Sequence, residues 1–293
     1  MKTLLVLIDF SAASVNAARY AVSLAGQLPA CRVILYHPFV FEPLCEDEEF
    51  PVTLQVEDFY EESIGRLLEL RCSLKPLLAE GRVIDCRTGQ SPLADALPAI
   101  ARQEQVDLVI AGGRGGEVSD RRVTGTAMAD SLLDLPFPLL VVPPGCTYKP
   151  VSHAVFACEL KGAEKIPVDQ VRAAMESFRS KLHLLHVENV PPQADTGRNL
   201  LQQQLRLALK DLDPEFHFVY HRNVQDGILQ FIDTEHTGLL IMIRKKHGFF
   251  YNLVQGSVTR KLSMHLSAPL LVLREKEPVP EVRVDAAVLP GLC

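Results

Sequence analysis

The run from Gly112 to Thr126 reads Gly-Gly-Arg-Gly-Gly-Glu-Val-Ser-Asp-Arg-Arg-Val-Thr-Gly-Thr. Gly112, Gly115, Gly125 and Thr126 stand in it with the spacing G-x2-G-x9-G-[ST]. An apolar segment, Val106 to Ala111, precedes the run, and an apolar-periodic stretch follows it, so the order is strand, loop, helix. Glycines let a backbone come close to an anion, and the unpaired N–H groups of a helix start point at it. The chemistry this suggests is phosphate binding, set against the plainer alternative of a glycine-rich surface loop. No G-K-[ST] follows, and Val118 stands where a dinucleotide fingerprint counted from Gly113 needs its last glycine. Arg114, Arg121 and Arg122 lie inside the run, where they either screen phosphate charge or face solvent.

Elements must position such a loop. In the first half, short continuous aliphatic runs at about 3–9, 32–37, 82–86, 106–111 and 139–142 alternate with helical patterns. Runs apolar on both faces, joined by helices, predict a parallel sheet covered on both sides. Ser91 and Pro92 mark a helix start, and Leu93, Leu97, Ile100 and Ala101 would line its apolar face. The fold class expected is α/β, a doubly wound sheet of about five strands, repeated. In such sheets ligands bind beyond the carboxyl ends of the strands at the switch point. With the order 3-2-1-4-5 taken for the strands, Asp9 and Gly112 flank that crevice. Asp9 also has a plainer reading as a turn or capping residue.

The second half repeats the first. Leu4–Ser11 pairs with Ala154–Lys161, Val33–His37 with Leu182–His186, and Val106–Ala111 with Thr237–Met242. Gly125-Thr126 through Val142 pairs with Gly256-Ser257 through Leu273 at a constant offset. Two copies of this length mean a duplicated domain. The expected organisation is a domain at 1–146, a second at 150–275 and a tail at 276–293, with the breakers Pro143-Pro144-Gly145 near the boundary. The segment from Phe41 to Glu80 is longer than its counterpart and predicts a solvated acidic loop with an extra helix.

The chain has 293 residues and a net charge of -6, which argues against a general nucleic-acid binder. Seven scattered cysteines without a C-x2-C pair suit a reduced, cytoplasmic setting rather than a disulfide framework or zinc site. Without an apolar run of 18 residues, no transmembrane helix is expected.

Asp9-Phe10-Ser11-x-x-Ser14 after the first strand, together with the complete glycine spacing after the fourth, resembles the universal stress protein family. The whole chain is similar to a tandem member, with both copies covered from about residue 1 to 275. The resemblance implies an adenine-nucleotide α-hydrolase-like fold and ATP binding, with or without Mg or Mn. Residue by residue, it implies that Asp9 lies near base and ribose, Ala111 and Gly112 line the nucleotide, and Gly115, Gly125 and Thr126 hold phosphates. Pro38 stands where the family usually has a valine near adenine, so backbone contacts alone would serve there. The fusion implies that the halves pair within the chain as single-domain members do between chains, with a homodimer of the whole chain also open.

The second copy departs from that pattern. Ile243 and Lys246 replace the upstream glycines, Glu159 the aspartate and Lys161 the serine. One competent site per chain is therefore expected. Arg244-Lys245-Lys246-His247 reads as a solvated basic loop or an anion site. His183-x-x-His186 is read as core or edge histidines rather than a metal pair, because a separation of three on a strand puts them on opposite faces. No nucleophile–base–orienter set emerges, so the leading expectation is a nucleotide-dependent binding module of the stress response, with at most slow ATP hydrolysis. A nucleotide-using enzyme and a structural scaffold are its rivals.

Overall fold

The computed structural model describes residues 2–28, 30–39, 52–90, 93–113, 132, 137–158, 165–189, 196–244, 266 and 268–275. In the first half, β1 (Lys2–Leu7), α1 (Ala12–Gln27), β2 (Cys31–Phe39), α2 (Val52–Leu74), β3 (Val83–Gln90), α3 (Leu93–Gln103), β4 (Leu108–Gly112) and β5 (Leu139–Val142) follow in order. The second half has β6 (His153–Ala157), α4 (Val168–Phe178), β7 (Lys181–Glu188), α5 (Thr196–Ala208), β8 (Glu215–Tyr220), α6 (Val224–Thr234), β9 (Leu239–Arg244) and β10 (Leu270–Arg274). All five aliphatic runs of the first half are strands. The third extends to Gln90, because Arg87–Gln90 continue the ladder opposite Tyr36–Phe39. The fourth starts at Leu108, after Gln105 turns the chain at positive φ.

The ten strands form one sheet in the order β3-β2-β1-β4-β5-β10-β9-β6-β7-β8. Each half is parallel within itself in the 3-2-1-4-5 arrangement. β5 and β10 meet antiparallel, with Leu140 opposite Leu271. Alternation along β1 shows how the sheet is covered. Leu4, Val6 and Ile8 belong to one buried cluster with α1, and Leu5 and Leu7 to another with Leu97 and Ala101 of α3. Buried faces of this kind supply the main stabilisation, about 25 cal/mol per Å2 of apolar surface removed from water.

The long segment between β2 and β3 yields a correction. Its helix, α2, is the crossover that joins the two strands, with Leu67 and Leu74 fully buried, rather than an addition to the fold. Its counterpart is the shorter α5. The capping signal at Ser91 and Pro92 lies outside the described residues. At Pro143-Pro144-Gly145-Cys146 the Cys146 N–H donates to the Pro143 carbonyl at 3.1 Å, and Gly145 takes φ 71°, as the third position of a type II turn requires. No helix among the described residues is long and apolar enough to cross a membrane.

Candidate functional site

The carboxyl end of β1 is a tight polar turn. Ser11 caps α1, its Oγ accepting from the Ser14 N–H at 3.2 Å. Asp9 Oδ1 accepts from both the N–H (2.9 Å) and the hydroxyl (2.6 Å) of Ser11. The Asp9 N–H donates to Ser14 Oγ at 3.3 Å. Between them Phe10 holds φ 60°, a left-handed conformation costly for an aromatic residue and sustained by the bonds on either side. Partial burial works against ionisation of Asp9, but the bonds from Ser11 and Ser14 outweigh it and hold its pKa below the ordinary carboxylate value. Asp9 thus braces the start of the helix and stays ionised.

Gly112, the last residue of β4, lies against that same helix start. A Cβ placed on it would come within 2.5 Å of the Ala13 carbonyl carbon and oxygen and 2.9 Å of the Ser14 nitrogen. Only glycine lets β4 end here. Ala111 is buried opposite Val141, Gly112 stands opposite Val142, and the Gly113 N–H donates to the Val142 carbonyl at 2.7 Å. The structure therefore brings Asp9, Ala111 and Gly112 to one end of adjacent strands. Pro38 lies at the same end of β2, opposite Gly89. Gly115, Gly125 and Thr126 lie outside the described residues, as do Arg114, Arg121 and Arg122.

Three neighbours of this crevice were not picked out from the sequence. His37 Nδ1 lies 2.7 Å from the Ile8 carbonyl and so carries the proton. Burial pushes the His37 pKa below the ordinary histidine value, with the nearby Arg66 charge acting in the same direction. The Phe10 ring sits 4.6 Å from the His37 ring, and the Arg66 guanidinium lies over Phe10 at 4.0 Å. Their signal was faint: His37 occupies the same place in the repeat as His186. The structure makes the pair concrete, since His186 Nδ1 meets the Cys158 carbonyl at 3.0 Å as His37 meets that of Ile8.

The second half keeps this latch and loses the close approach. Ile243 occupies the place of Gly112, buried inside β9 opposite Leu273. Residues 158–167 separate β6 from α4, whereas only 8–11 separate β1 from α1. Glu159, Lys161, Lys246 and Gly256-Ser257 lie outside the described residues. His183 and His186 do point to opposite faces. His183 meets His153 and His217 on neighbouring strands, and His186 stays with Cys158.

Residues 1–143 match the sequence profile of the Universal stress protein family. This half of the chain belongs to that family. Solved universal stress proteins share the fold across both halves. One from Archaeoglobus fulgidus DSM 4304 is 12% identical, with a TM-score of 0.68 over 94% of this chain and 97% of that one. A putative universal stress protein from Pseudomonas aeruginosa UCBPP-PA14 is 13% identical, with a TM-score of 0.56 over 94% of each chain. A comparison with curated protein sequences gives no match.

Proposed function

We propose that this protein is an ATP-binding regulator of the stress response, with one nucleotide site in its first half. Asp9 and Pro38 would flank ribose and base, Ala111 and Gly112 would line the nucleotide, and Gly115, Gly125 and Thr126 would hold the phosphates. Mg2+ or Mn2+ would accompany the phosphates. The observation that carries this reading is the meeting of Gly112 with the start of α1 beside Asp9, at the carboxyl ends of β1 and β4. There the glycine-rich run leaves the strand next to a helix start, the end of a helix that favours negative charge. The proposed units are 1–146 and 150–275, acting as a built-in pair in the cytoplasm whose contacts change when nucleotide binds.

Titration calorimetry of the full chain with ATP should give a stoichiometry near one. Two equivalent sites, or no binding of ATP, ADP or AMP, would sink the reading. Gly125→Val should abolish binding in a chain that still melts cooperatively, because its side chain would fill the space of a phosphate. Unchanged affinity in that variant would reduce the glycines to ordinary loop residues.

A further inference from the structure

A second cluster lies at the amino ends of β6, β7 and β8, away from the crevice. His183 on β7 faces β8, where Glu215 stands opposite it in register and His217 follows two residues later. These residues alternate onto one face of the sheet. His183 Nδ1 is 2.9 Å from His217 Nε2. The Glu215 carboxylate reaches toward both, 3.8 Å from His183 Nδ1 and 3.7 Å from His217 Nε2. All three ligand atoms lie within 4.8 Å of one another. On the far side, His183 Nε2 is 3.0 Å from His153 Nδ1 on β6. The His217 ring rests against Phe231 of α6 at 4.9 Å.

We propose that His183 Nδ1, His217 Nε2 and the Glu215 carboxylate form a binding site for a divalent transition metal of the zinc type. Two imidazoles and one carboxylate suit zinc, and they leave a fourth position for water. Zinc bonds of about 2.0–2.1 Å in a tetrahedral site put two nitrogens about 3.3 Å apart, so the imidazoles need to separate by only a few tenths of an ångström. One choice of tautomers suits ligation. With Nδ1 of His183 turned to the metal, its Nε2–H donates to His153 Nδ1, an outer partner that fixes the tautomer and the ring. His183 is buried at 8% exposure, while the Glu215 side chain on edge strand β8 is 66% exposed, which gives the ion a way in.

The cysteines compete for zinc, so the experiment needs a ligand signature as well as an affinity. The full chain, stripped with chelator, is titrated with Zn2+ by calorimetry and separately with Co2+ by visible absorption. One Co2+ should give ligand-field bands without strong thiolate charge transfer. His183→Ala and His217→Ala should each weaken zinc binding by more than about 100-fold, beyond the roughly 10–100-fold that loss of an outer partner costs. His153→Gln should fall within that outer-partner range. His186→Ala, on the opposite face, should bind as the parent does. Glu215→Gln covers a failure of the histidine variants to fold, since its exposed position leaves packing untouched, and it should also weaken binding. No zinc binding, a thiolate-dominated cobalt spectrum, or parental affinity in Glu215→Gln and His217→Ala would overturn the site.

Discussion

The two halves solve the same packing problem at the end of their central strands in different ways. In the first, β4 ends in Gly112 with its Cα pressed on the backbone of Ala13 and Ser14, and α1 begins directly after the turn. In the second, Ile243 fills the equivalent place and α4 starts only at Val168. A side chain and a nearby helix start cannot share that space, so losing the glycine and setting back the helix go together. The second half therefore lacks more than glycines, since the helix start itself is displaced. The amino ends contrast as well. Arg32 there binds Asp85 and Glu104, each at 2.6 Å, and Arg87 joins Glu104 at 3.2 Å. In the second half Glu215 and His217 occupy the register positions of Asp85 and Arg87, and Glu235 follows α6 as Glu104 follows α3. A closed ionic network in one copy corresponds to an open set of imidazoles in the other.

The most disruptive way to challenge this contrast is to restore the glycines in the second half. Ile243→Gly with Lys246→Gly should lower unfolding free energy by about 3–5 kcal/mol, since a buried aliphatic side chain is lost from a strand. ATP stoichiometry should stay at one. A second binding event in calorimetry would show that the glycines alone decide competence. The reverse change, Gly112→Ala, should cost about 1–3 kcal/mol by urea unfolding and weaken ATP binding, because backbone at 2.5 Å must yield. An unchanged midpoint would mean that α1 shifts freely.

Arg32→Met should cost about 1–2 kcal/mol by leaving Asp85 and Glu104 short of a donor. Lys181→Met, at the matching and exposed position of the second half, should stay within about 0.5 kcal/mol. Equal losses would erase the distinction between the networks. A modest, pH-dependent effect is expected at Asp9. Its pKa is depressed in the folded chain, so its contribution is fully present above the unfolded value of about 4 and is lost as pH falls through the folded value. Asp9→Asn should flatten that acid limb of the stability profile and cost about 1 kcal/mol near neutral pH. An acid limb identical to that of the parent would remove Asp9 from the cap.

Much of this was legible because burial on both faces leaves a plain trace. Leu4–Ile8 and Val33–Tyr36 read as continuous apolar runs, and the repeat carried the assignment into the second half. Asp9 and Gly112 were legible from motif spacing, and their meeting at adjacent strand ends follows from the strand order. Periodicity could not reveal the antiparallel partner of β5, because Leu139–Val142 would suit any apolar edge. The retreat of α4 was hidden because Val168 lacks a side-chain cap at its start. His153, His183 and His217 come from three strands and converge only through the β6–β7–β8 register, which the local His-x-x-His pattern does not show.

The antiparallel join of β5 to β10 reverses the sense of the sheet midway. The carboxyl ends of β1 and β4 consequently open on the same rim as the amino ends of β6, β7 and β8. Six strand spacings lie between β1 and β7, which at about 4.8 Å each puts their ends roughly 29 Å apart. Twist of about 20–25° per strand turns the rim through more than a quarter circle over that span. The two openings therefore face different directions. A small partner seated over one opening would leave the other clear.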